Sequence, residues 1–327
     1  MIKTERMPAL KKSTQRIDPR RALRIAIVLV VILGFSLLFS GVLTLLLHAR
    51  MAGSESLIGA WVREEPHRFM RRLMTLLAVL GAPVLLKVAG WRGWRDCGVL
   101  PEGSAWNPGH ALRESVIGVL LGLCTLTPLV ALSVLSGQRA WSPHESAIWL
   151  AMGLVVLRSA IVGLFEEVVA RGVLFRVLAR AWTLWPAMLV SSALFAYLHF
   201  FKASPGVFSG DVSWWGVLEV IESSFRNVGL TEDVTIRFIN LTLMSMVLCL
   251  MVARSGTIWM AAGTHAGWVF VKFSNRKLTV DNGAAVDALW IGHRSDATDG
   301  LLTTCILALL LVVWWGLMRR RNDGLAT

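Results

Sequence analysis

The feature that most constrains this chain is a succession of long apolar runs. Each extends for about 18–25 residues, the length of α-helix that crosses a hydrocarbon core of roughly 30 Å. A soluble domain has no use for several such runs. They fall at about residues 22–47, 72–90, 114–135, 147–179, 182–201, 236–253, 256–273 and 300–318. The sequence therefore predicts an all-α, polytopic integral membrane bundle of about eight transmembrane helices. The longest gaps, about 203–235 and 274–299, leave no room for a soluble domain. The expected organisation is a basic leader at 1–21, three helices within 22–146, a core of four helices at 147–273, and a loop, last helix and basic tail at 274–327.

Composition agrees. Of 327 residues, 55% are hydrophobic and 17% charged, with mean hydropathy +0.61. Soluble domains are usually 45–50% apolar and about 25% charged. The net charge of +12 comes from Lys and Arg at helix ends, not from a continuous stripe. That pattern excludes nucleic acid as the expected partner and assigns the charge to loops and anionic lipid of the bilayer. Cys97, Cys124, Cys249 and Cys305 show no CxxC spacing, and three of them lie inside apolar runs. They read as small core residues.

The first run follows Lys11, Lys12, Arg16, Arg20, Arg21 and Arg24. It exceeds the 7–15 residues of a signal-peptide core, so an uncleaved first span is expected. Basic residues in the leader, the 91–113 loop, the 171–181 turn, Arg254 and Arg319–Arg321 share one side if the spans number eight. Both termini are then cytoplasmic, in a protein of the cytoplasmic (inner) membrane. The 48–71 loop dissents, because Arg50, Arg63, Arg68, Arg71 and Arg72 fall outside. It is an interfacial helix, or the count is off by one. Between the fifth and sixth spans, Trp214, Val217, Leu218, Ile221 and Phe225 recur at helical spacing. This predicts an amphipathic helix, lying on the membrane or packed on the protein's own loops.

Ionisable residues inside spans are costly and are functional candidates by default. Glu166, Glu167 and Arg171 occupy the fourth span, His199 the fifth and His265 the seventh. His48, His67, His110, His144 and His293 fall in loops or at span ends and read as solvated. A turn near Ala181–Trp182 joins the fourth and fifth spans. Glu166 lies about 16 residues before it and His199 about 17 after it, so both sit about 25 Å from the turn. A neighbouring span can deliver His265 to similar depth. Adjacent Glu166 and Glu167 diverge by about 100° on a helix, so they are not expected to face one centre. Glu167 and Arg171 are spaced i, i+4 and can pair, leaving Glu166 for another partner. On spacing alone, a network that merely fastens helices together is as good a reading.

The strings carrying these residues resemble a known family. Phe165-Glu-Glu-Val-Val-Ala-Arg-Gly172 matches an EExxxR motif, Phe195-Ala-Tyr-Leu-His199 an FxxxH motif, and His265-Ala-Gly-Trp-Val-Phe270 the start of a last histidine motif. In this order they resemble the CPBP family, the CAAX-protease (type II CAAX prenyl endopeptidase-like) and bacteriocin-processing intramembrane proteases. The resemblance covers about 147–273. It implies that Glu166 and His199 activate a water, that His265 stabilises the oxyanion, and that Glu167 and Arg171 support them. The family places Asn or Asp four residues after the last histidine, where this chain has Val269. An apolar side chain cannot donate to an oxyanion; Asn240 or Thr264 is a candidate substitute.

The chemistry suits amide hydrolysis. A carboxylate in a low-dielectric site moves toward a useful general base, and a histidine can relay the proton. Glu166, His199 and His265 also form a two-His, one-carboxylate set able to bind zinc with an open position for water. The sequence lacks HExxH, a Gly-rich phosphate loop and GxSxG, so metal-free and zinc-dependent mechanisms both stand. The expected function is intramembrane endopeptidase action on a membrane-associated protein or peptide, in an oligomeric state the sequence leaves open. The alternatives are a non-catalytic binding, immunity or scaffold protein on the same fold, and a transporter. A transporter would call for paired, broken spans in two matched halves, and none is visible.

Overall fold

A computed structural model describes residues 19–51, 53–56, 59, 66–88, 90–91, 93–101, 107–143, 148–200, 213–226, 232–282, 288–292 and 298–323. The leader's Lys11, Lys12 and Arg16, and also Arg63, His144 and His293, lie outside the described residues. The elements are α1 (Pro19–Met51), α2 (Pro66–Val88), α3 (Pro108–Leu135), β1 (Arg139–Trp141), α4 (Ile148–Glu167), a π-helical segment (Val168–Phe175), α5 (Arg176–Ala181), α6 (Leu184–Phe200), α7 (Trp214–Arg226), α8 (Glu232–Ser255), α9 (Trp259–Leu278), β2 (Thr279–Asp281), α10 (Ala288–Ile291) and α11 (Leu301–Asp323).

The protein is an all-α polytopic membrane bundle, but the count of eight spans does not carry over. Among the described residues, six helical stretches are long and apolar enough to cross a membrane: Leu23–Met51, Pro66–Val88, Pro108–Leu135, Ile148–Arg180, Val234–Ser255 and Leu301–Met318. The two other expected spans are helices of different character. α6 is apolar but has 17 residues. α9 has 20 and ends in Arg276 and Lys277. The second helix begins at Pro66, not near residue 72, and takes up Arg68, Arg71 and Arg72 from the expected loop.

The chain divides into two compact units. The first comprises the described residues within 92–196 and 230–327. Its centre is α9, which runs between α3 and α4. Small residues permit the close approach: a Cβ on Gly263 would collide with the Ser115 carbonyl of α3, and one on Gly163 of α4 would lie 2.7 Å from the Ala266 nitrogen. This is how helices pack where lipid removes any hydrophobic drive between them. Trp268 adds a hydrogen bond from its indole N–H to Thr125 Oγ1 of α3 at 2.7 Å. α8 packs on α11. Antiparallel β1 and β2, three residues each, join the connection after α3 to the end of α9.

Loop 93–101 closes one end of this unit. Its Gly98 and Val99 carbonyls accept from Ile258 N–H at 3.0 Å and Trp259 Nε1 at 2.9 Å. Gly98 has φ +70°, and a Cβ there would strike the Arg176 guanidinium, so two reasons require glycine. Arg176 donates to the Gly256 carbonyl at 2.6 Å and Arg180 to Asp96 at 3.3 Å. Burial pushes the Cys97 thiol in this loop above its usual range, against the lowering effect of Arg176. All four cysteines are free.

The second unit comprises residues 17–91 and 197–229, so the last turn of α6 belongs to it. α1 and α2 pack together, and α7 covers them with Val217 and Val220 against Met70, Leu37 and Leu45. The amphipathic helix expected near 214–225 is therefore present, but its apolar face sits on helices and not on loops. Trp215 is left 78% exposed.

Candidate active site

The site is built on the α4–π segment and on α9. Glu166 and Glu167 end the α-helical part, and Val168–Phe175 continue with wider π turns. Such turns are rare and frequently mark functional positions. Gly172 lets loop 93–101 meet this segment, since a Cβ there would lie 2.9 Å from the Cys97 carbonyl. His265 is one helical turn beyond Ala261 and Ala262, on the face of α9 buried against α4.

Glu167 is the hub. Its Oε1 accepts from Arg171 NH1 at 2.7 Å and lies 2.9 Å from His265 Nδ1. Glu167 and Arg171 are both fully buried, so the pair expected from i, i+4 spacing is present and shielded from solvent. Beside it, Arg171 Cζ stands 4.4 Å over the Phe195 ring of α6. The same ring meets His265 edge-on at 6.0 Å between centroids. The motif phenylalanine thus packs against both partners of Glu167, Arg171 and His265, a role that its spacing did not reveal.

Glu166 also reaches His265: its Oε2 lies 3.7 Å from Nε2. The expectation that adjacent glutamates cannot share a centre is therefore wrong. The 100° divergence applies to the Cα–Cβ bonds. An imidazole carries nitrogens on two edges, and two flexible side chains can address one each. The two carboxylates differ in access: the Glu166 side chain is 33% exposed and that of Glu167 is 0%. Glu167 is fully enclosed, and Glu166 is partly exposed.

Glu167 Oε1 already accepts from Arg171, and the His265 tautomer with its proton on Nδ1 would donate to the same oxygen. With Nδ1 at Glu167, the Nε2 edge of the ring lies on the Glu166 side. Among the described residues, Glu167 Oε2 and Arg171 Nε and NH2 are buried polar atoms with no hydrogen-bond partner.

The remaining sequence candidates fall elsewhere. Asn240 is buried on α8, where its amide donates to the carbonyls of Thr298 (2.8 Å) and Gly300 (3.1 Å) and accepts from Thr304 Oγ1 (2.7 Å). It ties α8 to the start of α11. Thr264 donates back to the Met260 carbonyl at 3.0 Å. Neither has a donor to spare, so neither replaces the amide missing at Val269. His199 is on the last turn of α6, in the second unit. Among the described residues no group of three His, Cys, Asp or Glu is placed to hold a metal ion. One buried carboxylate had been passed over: Glu114 of α3 accepts from Thr257 Oγ1, with His110 Nδ1 4.0 Å away. Its signal was a Glu, with a His four residues earlier, opening an apolar run.

Residues 148–271, which contain all of Glu166, Glu167, Arg171, Phe195, His199 and His265, match the family described as Type II CAAX prenyl endopeptidase Rce1-like. This segment is similar to that family. No curated protein and no solved structure matches the chain. The matched segment begins with α4 and ends within α9, so it spans both helices of the Glu167 hub. The similarity supports a membrane protein related to proteases of the CAAX type.

Proposed function

We propose that the protein is an intramembrane endopeptidase that hydrolyses a peptide bond of a membrane-associated protein or peptide, with Glu166 as general base. The observation that supports this most is the division of labour between two adjacent carboxylates around one imidazole. Glu167, buried and paired with Arg171, orients His265; Glu166, partly open, addresses the other nitrogen. Water held by Glu166 loses a proton to that carboxylate as its oxygen attacks the scissile carbonyl carbon. His265 Nε2–H, in the imidazolium form, stabilises the oxyanion. On collapse the C–N bond breaks and the leaving nitrogen takes the proton from Glu166. His199 joins Glu166 as the second water-activating group; this rests on the FxxxH motif and on their equal distance from the Trp182 turn.

The measurement is cleavage of a membrane substrate, found by comparing protein termini in membranes carrying wild type or Glu166→Gln at matched levels. Glutamine keeps size and hydrogen bonding but loses basicity. The expected loss is about 10²–10⁴ in rate. His199→Ala should lose as much, and the double variant little more, because groups acting as one unit are not additive. Full activity in Glu166→Gln overturns the proposal. A zinc-dependent version predicts loss of activity on chelation and recovery with Zn²⁺; the metal-free version predicts neither.

A second reading is favoured by Val269. With Asn240 and Thr264 committed to helix bonds, His265 has no amide or hydroxyl helper at the positions considered. Losing one oxyanion donor costs about 10²–10³ in rate. A non-catalytic binding protein on the Rce1-like fold therefore remains the alternative, and it predicts that Glu166→Gln changes no cleavage product.

A further inference from the structure

About 12–14 Å along both helices from the Glu167 hub, α4, α9 and β2 line a half-open cavity that the proposed reaction does not use. Its volume is about 510 Å³, within the range of sites that enclose a small-molecule ligand. Leu154 and Val155 of α4 and Phe273 of α9 form an apolar wall, and Arg158, Arg276 and Lys277 supply three cations. None of the lining residues is acidic. Asp281, close by in sequence, stands opposite Arg139 in the strand register and is not part of the lining.

Arg158 is the telling member. It sits within the apolar stretch Ile148–Arg180, among Leu154, Leu157 and Ile161, each 57–58% exposed. These are lipid-facing side chains in an integral membrane protein. A guanidinium on such a surface is costly without an anion, and residues of this kind mark binding sites by default. Its Cζ lies 4.3 Å over the Phe273 ring, which holds the fork beside the cavity. A planar guanidinium is suited to bidentate contact with phosphate.

We propose that this cavity binds an anionic phospholipid, with the headgroup phosphate on Arg158, Arg276 and Lys277 and the acyl chains along Leu154 and Val155. Basic pockets between membrane helices hold lipid headgroups in this way. The apolar wall and the lipid-facing setting favour a lipid over free phosphate. This inference does not depend on protease activity.

The test uses the purified full chain in mild detergent, titrated with phosphatidylglycerol or phosphatidylcholine and read by native mass spectrometry. Wild type should prefer phosphatidylglycerol by about tenfold or more. Arg158→Gln should lower that preference about tenfold and Lys277→Gln about fivefold, near the worth of one basic residue at an anionic surface. Arg180→Gln, at the Asp96 contact, should leave it unchanged. Inorganic phosphate at millimolar concentration should not displace the lipid. Equal binding of both lipids, or an undiminished preference in Lys277→Gln, overturns the proposal. Displacement by inorganic phosphate also overturns it and marks a free-anion site. If Arg158→Gln does not insert, Lys277→Gln decides alone, since that side chain is exposed. Repeating the titration in Glu166→Gln separates this result from the fate of the protease reading.

Discussion

α9 and α11 are similar in length, 20 and 23 residues, and are built on opposite rules. The apolar window of α11 has mean hydropathy 2.3 and is 11% buried; Leu309 and Val312 are about two-thirds exposed. α9 is long enough to be a span but not apolar enough. It buries Ala261, Ala262, Gly263, Thr264, His265, Gly267 and Trp268 in the first unit. α11 is specified by its solvent, the lipid, while α9 is specified by its neighbours. A helix that must place an imidazole between two carboxylates gives up apolar bulk for close backbone contact, so hydropathy alone undervalues it.

The contrast can be broken by substitution. The largest expected effect is the rate loss of Glu166→Gln described above. Next comes Arg171→Leu, which strips the buried Glu167 carboxylate of its cation. Removing one member of a buried pair costs about 3–5 kcal/mol, so folded yield should fall more than activity per folded molecule. Full yield with no activity would instead place Arg171 in the reaction itself.

Gly263→Val comes third. Its side chain meets the Ser115 carbonyl of α3, and overpacking of this kind costs about 1–3 kcal/mol, measurable as a lower midpoint of thermal unfolding in detergent. The smallest effect belongs to Val312→Ala on the exposed face of α11, within about 0.5 kcal/mol. If Gly263→Val and Val312→Ala shift the midpoint equally, the distinction between the two helices fails.

Much of this was legible in the sequence, for particular reasons. Long apolar runs located α1, α3, α4, α8 and α11 because lipid imposes one length on every crossing. The turn at Trp182 and the Glu167–Arg171 pair followed from local spacing. The resemblance of three strings to CPBP motifs singled out His265 although its helix is only modestly apolar. The three-residue strands β1 and β2 were missed because so short a segment shows no periodicity. Asn240 and Thr264 were misjudged because a polar side chain in a span reads the same whether it serves a substrate or a neighbouring carbonyl. The shared imidazole was missed because sequence fixes where side chains start and not where their tips arrive. The packing of α7 on α1 and α2 was half visible: periodicity gave the apolar face and left its counterpart open.

The π-helical segment has a consequence best stated as helical phase. A π turn closes its hydrogen bond one residue later than an α turn. The eight residues Val168–Phe175 amount to nearly two turns, so everything after them is set back by about one to two residues, on the order of a third to a half of a turn, relative to an uninterrupted α-helix. Arg176 and Arg180 follow the segment directly, and their bonds to Gly256 and Asp96 exist in this shifted phase. The upstream face that carries Glu166 and Glu167 and the downstream face that grips loop 93–101 are therefore set independently. One long helix serves two separate alignments, and the length of the π segment is the dial between them.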